Sequence, residues 1–247
     1  MTRFNVGVCQ ARRLWTGGIT ALMIVGVTSG AHSAYSGTED VSSLFKRIRS
    51  VRDGIRSVEF VQTLATEDRG KSGSQFQTSH AVRMLYRKDL NLLRREWPGS
   101  VPGSASNRSN VSRTASGQPV YVVEKGAILL WLFGIPEALG KRPYSILKAG
   151  GKTHVEVYSD ARAKQAGKRV ADISFGATGL PNVVTTYNGL GKELDRMEVY
   201  WQERGALAFP EKVVFTYYSR RNTLIQTVTY RDVRLNSVLS ASLFSTP

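Results

Sequence analysis

The chain has 247 residues, 34 Lys and Arg against 19 Asp and Glu, a formal charge of +15, one cysteine and three histidines. A single cysteine makes no internal disulfide and no cysteine metal site, and histidines at 32, 80 and 154 make no closed ligand set. The positive balance favours anionic partners such as phospholipid headgroups or polyanionic polymers, and serves equally well as solubilising charge, because the cations are scattered.

The first 31 residues have the layout of an export signal: Arg3, Arg12 and Arg13, an apolar stretch over 19–27, then the small-residue exit Ser29-Gly30-Ala31, with Ala34 as a second end point. The apolar stretch is too short to span a bilayer; an uncleaved N-terminal anchor is the alternative. Cys9 lies in the basic part of this segment and leaves with it, so residues 32–247 are expected to form one cysteine-free domain.

Thr38 can cap a helix whose first turn carries Glu39 and Asp40. Val41, Leu44, Phe45, Ile48, Val51, Ile55 and Val58 then recur at three- and four-residue steps, with Lys46, Arg47, Arg49, Arg52, Asp53 and Arg56 on the other side. From Val58 the period becomes two: Phe60, Gln62 and Leu64 alternate with Val61, Thr63 and Ala65, the stretch 68–74 reads as a turn, and a second strand runs through Val82, Met84 and Tyr86. Further strands are predicted at 92–97, 120–124, 127–133, 154–158, 169–175, 182–187, 195–203, 211–219 and 223–233, about ten to eleven in all, joined by short turns. Residues 98–118 are a Ser-, Gly- and Asn-rich insert expected to be a mobile loop, and 135–151 reads as a short helix or two in a crossing loop. The pattern predicts a mainly β fold, a curved antiparallel sheet with a greasy concave face that one amphipathic helix covers in part.

Several stretches carry a family resemblance. Leu44-Phe45-Lys46-Arg47-Ile48-Arg49-Ser50, followed by Ile55-Arg56-Ser57-Val58-Glu59-Phe60-Val61-Gln62-Thr63, has a helix, turn and strand ending in F-x-Q. Residues 82–97 pair two strands around Arg87-Lys88-Asp89, and Glu124-Lys125-Gly126 precedes Leu130-Trp131. Thr178-Gly179-Leu180-Pro181 and Asn188-Gly189-Leu190-Gly191 supply turns, and Tyr230-Arg231-Asp232-Val233-Arg234-Leu235-Asn236 with Leu243-Phe244 closes the chain. In this order they resemble the LolA/LolB-like periplasmic lipoprotein-carrier superfamily, which includes the N-terminal domain of the RseB regulators. The resemblance implies a half-open antiparallel barrel with helices plugging its mouth, no catalysis and no cofactor. It implies a periplasmic carrier that holds acyl chains of a lipid or lipoprotein for sorting to the outer membrane. The alternative it allows is an envelope-sensing module that binds lipid and a protein partner.

The chain departs from the carriers at the basic turn, where Arg87 is not followed by proline. Arg87 is the nearest match to the arginine that holds the lid, with Leu44 and Ile48 as helix contacts, and release implies a helix seated loosely enough to move. Alternation directs Phe60, Leu64, Met84, Tyr86, Trp97, Trp131, Phe133, Phe175, Tyr187, Trp201, Phe215 and Tyr217 toward the cavity, where core packing is the competing role for each. No nucleophile elbow or phosphate-cradling loop appears, and Gly189-Leu190-Gly191 is better read as a hairpin turn. Aromatic residues between cations arise in any strand with a greasy inner and basic outer face, so they do not signal nucleic acid.

Overall fold

The predicted apolar stripe forms helix α1, Thr38–Gly54. Phe45 is 7% exposed and Ile48, Val51 and the following Ile55 are each 0% exposed, while Lys46 and Arg49 face solvent. Burial of each aliphatic side chain contributes roughly 1.5–3 kcal/mol, so packing rather than propensity holds the helix. The helix stops at Gly54, whose carbonyl accepts from Asn236 Nδ2 at 2.9 Å, while Asn236 Oδ1 accepts from the Arg56 amide at 2.7 Å.

The computed structural model describes residues 38–70, 73–78, 81–97, 111–112, 120–125, 135, 139, 142–149, 152–219 and 222–245. The export segment, the strand predicted at 127–133, and Trp131 and Phe133 lie outside the described residues. The strands are β1 Ser57–Gly70, β2 Gly73–Thr78, β3 Val82–Arg87, β4 Leu92–Trp97, β5 Val111–Ser112, β6 Val120–Lys125, β7 Tyr144–Ala149, β8 Lys152–Tyr158, β9 Arg169–Phe175, β10 Pro181–Tyr187, β11 Glu193–Arg204, β12 Leu207–Tyr218 and β13 Asn222–Leu235. A short helix α2, Ala161–Gln165, is capped by Asp160, and a 3-10 turn spans Ala241–Phe244. The thirteen strands of the described residues join one antiparallel sheet in the order β5-β6-β4-β3-β1-β13-β12-β11-β10-β9-β8-β7, with β2 on the outer part of β1. With β5 and β7 as separate edges, this is a half-open barrel with α1 in its hollow.

Three expectations are corrected. The stretch 68–74 is not simply a turn: β1 runs on through Asp68, Arg69 and Gly70, and Ser74 pairs back with Arg69 in β2. Asp68 accepts from the Asn222 side-chain amide at 2.9 Å. Within 135–151, Ile135 and Leu139 are helical and buried in the core, but residues 144–149 form β7 against β8. Within 98–118, Val111 and Ser112 pair with Val122 and Tyr121.

The two faces of the sheet have separate cores. The inner one joins α1 to residues of β1, β3, β4 and β8–β13. A smaller outer one packs Leu85 and Val123 against Leu239 and Phe244 of the C-terminal segment. Arg94 ties that segment down: its Nη1 donates to the Leu243 carbonyl at 2.6 Å and its guanidinium lies 3.8 Å from the Tyr121 ring centre.

Candidate functional site: the inner face of the half-barrel

Antiparallel partners share a face, so the register identifies the inner surface. Phe60 pairs with Met84, Leu64 with Val228, Val228 with Val213, Phe215 with Met197, and Met197 with Val184. This surface has two differently finished ends.

Under α1 it is closed. Phe60 packs 5.3 Å from both Phe209 and Tyr230, and those two rings meet edge-on at 5.7 Å. Burial pushes the Tyr230 phenol pKa up. A Cβ at Gly54 would fall 2.6 Å from Leu207 Cδ2, so a larger residue there would make the Leu207 side chain shift. The Arg47 guanidinium donates to the Ala206 carbonyl at 3.2 Å and lies 3.4 Å from Glu203, joining α1 to the β11–β12 turn. The loosely seated helix expected from the sequence is therefore a firmly seated plug.

Further along the same strands the surface is unfinished. Leu64, Met197, Tyr217 and Leu224 are half-buried although they lie on the inner face, and Trp97 and Val82 are half-buried at the neighbouring end of β4 and β3. Tyr217 stacks on Phe215 at 6.4 Å and pairs in register with Asp195. Burial, followed by the charge of Asp195, pushes the Tyr217 phenol up to about 12. Burial also raises the Asp195 carboxyl, against a lowering from Thr186, whose Oγ1 donates to it at 3.3 Å. The result is an apolar strip with a phenol and a carboxyl of raised pKa at its margin.

Of the residues predicted for the cavity, Phe60, Met84, Tyr86, Phe175 and Phe215 are buried in the inner core, and Leu64, Trp97, Trp201 and Tyr217 are half-buried. Trp201 also clamps β10, its indole N–H donating to the Pro181 carbonyl at 2.8 Å. Tyr187 is a correction. It follows Val183 and Thr185 onto the outer face, where Arg169 lies 4.6 Å from its ring centre and 2.8 Å from Glu156. Leu44 packs against the core and Ile48 is sealed within it. Arg87 is the second correction: its guanidinium pairs with Asp89 and donates to the Leu239 carbonyl at 2.9 Å, which holds the C-terminal segment. The neighbouring Lys88 reaches the helix instead, with Nζ 3.3 Å from the Arg52 carbonyl and 3.5 Å from Asp53 Oδ1. His154 faces outward, 3.5 Å from Asp172.

Phe209 was missed because the strand was predicted to begin after Pro210. That proline is within β12, opposite Trp201, at a register shift that accommodates its missing N–H. Tyr230 was legible by alternation with Val228, but was read only as part of the closing motif.

No family model and no curated protein matches the sequence. Among solved structures, a LolA superfamily protein from Nitrosomonas europaea is 10% identical over 83% of this chain and 96% of its own, with a TM-score of 0.44. An outer membrane lipoprotein-sorting protein domain from Vibrio parahaemolyticus is 11% identical over 81% and 95%, with a TM-score of 0.40. A DUF1329 family protein from Desulfovibrio piger is 10% identical over 85% and 98%, with a TM-score of 0.44.

Proposed function

We propose that this chain is an exported, periplasmic carrier that binds the acyl chain of a lipid or lipoprotein along the unfinished strip of its inner face. The observation that carries this reading is the half-buried row of Leu64, Met197, Tyr217 and Leu224, continuous with a sealed core but left partly open to water. Each methylene moved from water onto such a surface contributes about 0.8 kcal/mol, so a single chain can be retained without polar contacts. The firm seating of α1 supports entry past the helix rather than by its removal.

The outer face of α1 supports an anionic membrane surface as the place of loading or delivery. Lys46, Arg49 and Arg56 are exposed there beside Arg47, Arg52 and Lys88, with Asp53 and Glu203 as the facing carboxylates. Cations near an anionic bilayer contribute roughly 1 kcal/mol each.

The test is organic extraction and mass spectrometry of the full chain purified from its periplasm, followed by uptake of a fluorescent fatty acid. A co-purifying acyl compound and saturable uptake are expected. Failure of both would remove the carrier reading. Stable capture of one envelope protein, unchanged by delipidation, would favour the envelope-sensing alternative.

A further inference from the structure

An arginine interrupts the apolar inner face. Arg95 pairs in register with Met84 on one side and Val122 on the other, both buried. It therefore shares the face of Leu93 and Trp97, while Arg94 and Glu96 turn to the outer face. Arg94 has a structural explanation there, being pinned to Leu243, Tyr121 and Glu96. Arg95 instead meets Glu124 from the same inner face, Nη2 to Oε1 at 2.5 Å. Its Nε is buried and has no hydrogen-bond partner.

An ion pair on an apolar wall is costly in desolvation, and apolar side chains of similar volume would serve the core at least as well. A buried donor left without an acceptor adds a further penalty. Yet the Arg95 and Glu124 side chains remain 33% and 27% exposed, so a ligand in the hollow can reach them. Glu124 engages one end of the guanidinium, and the other donors of its five N–H groups remain for a second oxyanion.

Building on the carrier reading, we infer that Arg95 is the headgroup anchor of the inner face, recognising an oxyanion attached to the bound acyl chain. Both a carboxylate and a phosphate monoester have that chemistry. Glu124 holds the guanidinium in place when the site is empty and competes with the ligand for it.

The experiment compares affinities of the full chain for matched pairs of equal chain length: palmitate against methyl palmitate, and palmitoyl lysophosphatidate against monopalmitoylglycerol. The expected result is at least about a tenfold preference for the anion in one pair, the value of one charge-assisted hydrogen bond. Whichever pair shows the larger preference identifies the oxyanion. Arg95→Gln should erase the preference while leaving affinity for the neutral member unchanged. Glu124→Gln should increase the preference, a gain that misfolding does not produce. Wild-type protein binding both members of each pair equally would overturn the inference and leave the carrier reading standing. So would a preference that survives Arg95→Gln. Binding of none of the four probes would remove the carrier reading itself, and the anchor with it.

Discussion

On β1, Val58 and Phe60 are sealed beneath α1, whereas Leu64, on the same face and only four residues beyond Phe60, is half-buried. The same contrast runs across the sheet: Tyr230 and Phe209 belong to the closed end, Leu224 and Tyr217 to the open one. Strand composition barely differs between the two ends; among the described residues, what differs is the presence of the helix. A sheet face that alternates correctly but is only half-buried has apolar area left to offer, which is what the proposed binding strip rests on.

The largest effect should come from breaking the closed end. Phe60→Ala removes a ring shared by two aromatic neighbours and should cost about 3–5 kcal/mol in urea unfolding. Leu64→Ala, on the same strand, should cost well under half as much while weakening fatty-acid uptake. Equal destabilisation by the two would mean that the ends are not different in kind.

The helix seat comes next. Asn236 sits at φ 57° and bonds to both sides of the α1 terminus, an arrangement open to asparagine and glycine but strained for alanine. Asn236→Ala should cost roughly 2–3 kcal/mol through lost hydrogen bonds and backbone strain. Asn236→Gly should recover the backbone part. Hydrogen exchange should show faster opening of α1 in the alanine variant, with β8–β10 unaffected, if the helix is a discrete plug.

How much of this contrast was legible in the sequence depended on where periodicity was intact. The α1 stripe was readable because Phe45, Ile48, Val51 and Ile55 obey a single period and all reach the core. β7 was not, because Pro143 and the Gly150-Gly151 pair read as loop chemistry, although Tyr144 and Ile146 face Val157 and Val155 across the hairpin. The outer stretch of β1 was hidden for a related reason: Asp68-Arg69-Gly70 looks like a turn, and only its two strand partners make it a ladder. For the site, alternation selected most of the inner residues but gave no burial, so it could not separate Phe60 from Leu64. It also could not tell that Arg87 holds the C-terminal segment while Lys88 holds the helix, since that depends on contacts with residues far away in sequence.

The outer face of α1 offers a smaller test. Lys46→Ala with Arg49→Ala should lower affinity for vesicles containing anionic phospholipid by roughly 1 kcal/mol per residue at low salt. Stability should change by no more than about 0.5 kcal/mol, because both side chains are exposed. Neutral vesicles should not distinguish the variant from the parent. If they do, the outer face of α1 contributes something other than charge, and the helix end of the molecule is not its membrane-facing side.

The smallest expected effect probes the margin of the open end. Asp195 has its carboxyl pKa raised in the folded state, chiefly by burial. The folded protein therefore holds this proton more tightly than the unfolded chain does. The associated stability is fully present below the ordinary aspartate value of 3.8 and is lost as pH rises through the higher folded pKa. Asp195→Asn, which cannot ionise, should flatten that part of the stability-against-pH curve and leave the alkaline loss near Tyr217 in place. If the acid limb is unchanged in the variant, Asp195 is better solvated than its position beside Tyr217 implies, and the open end is wetter than an acyl-binding strip should be.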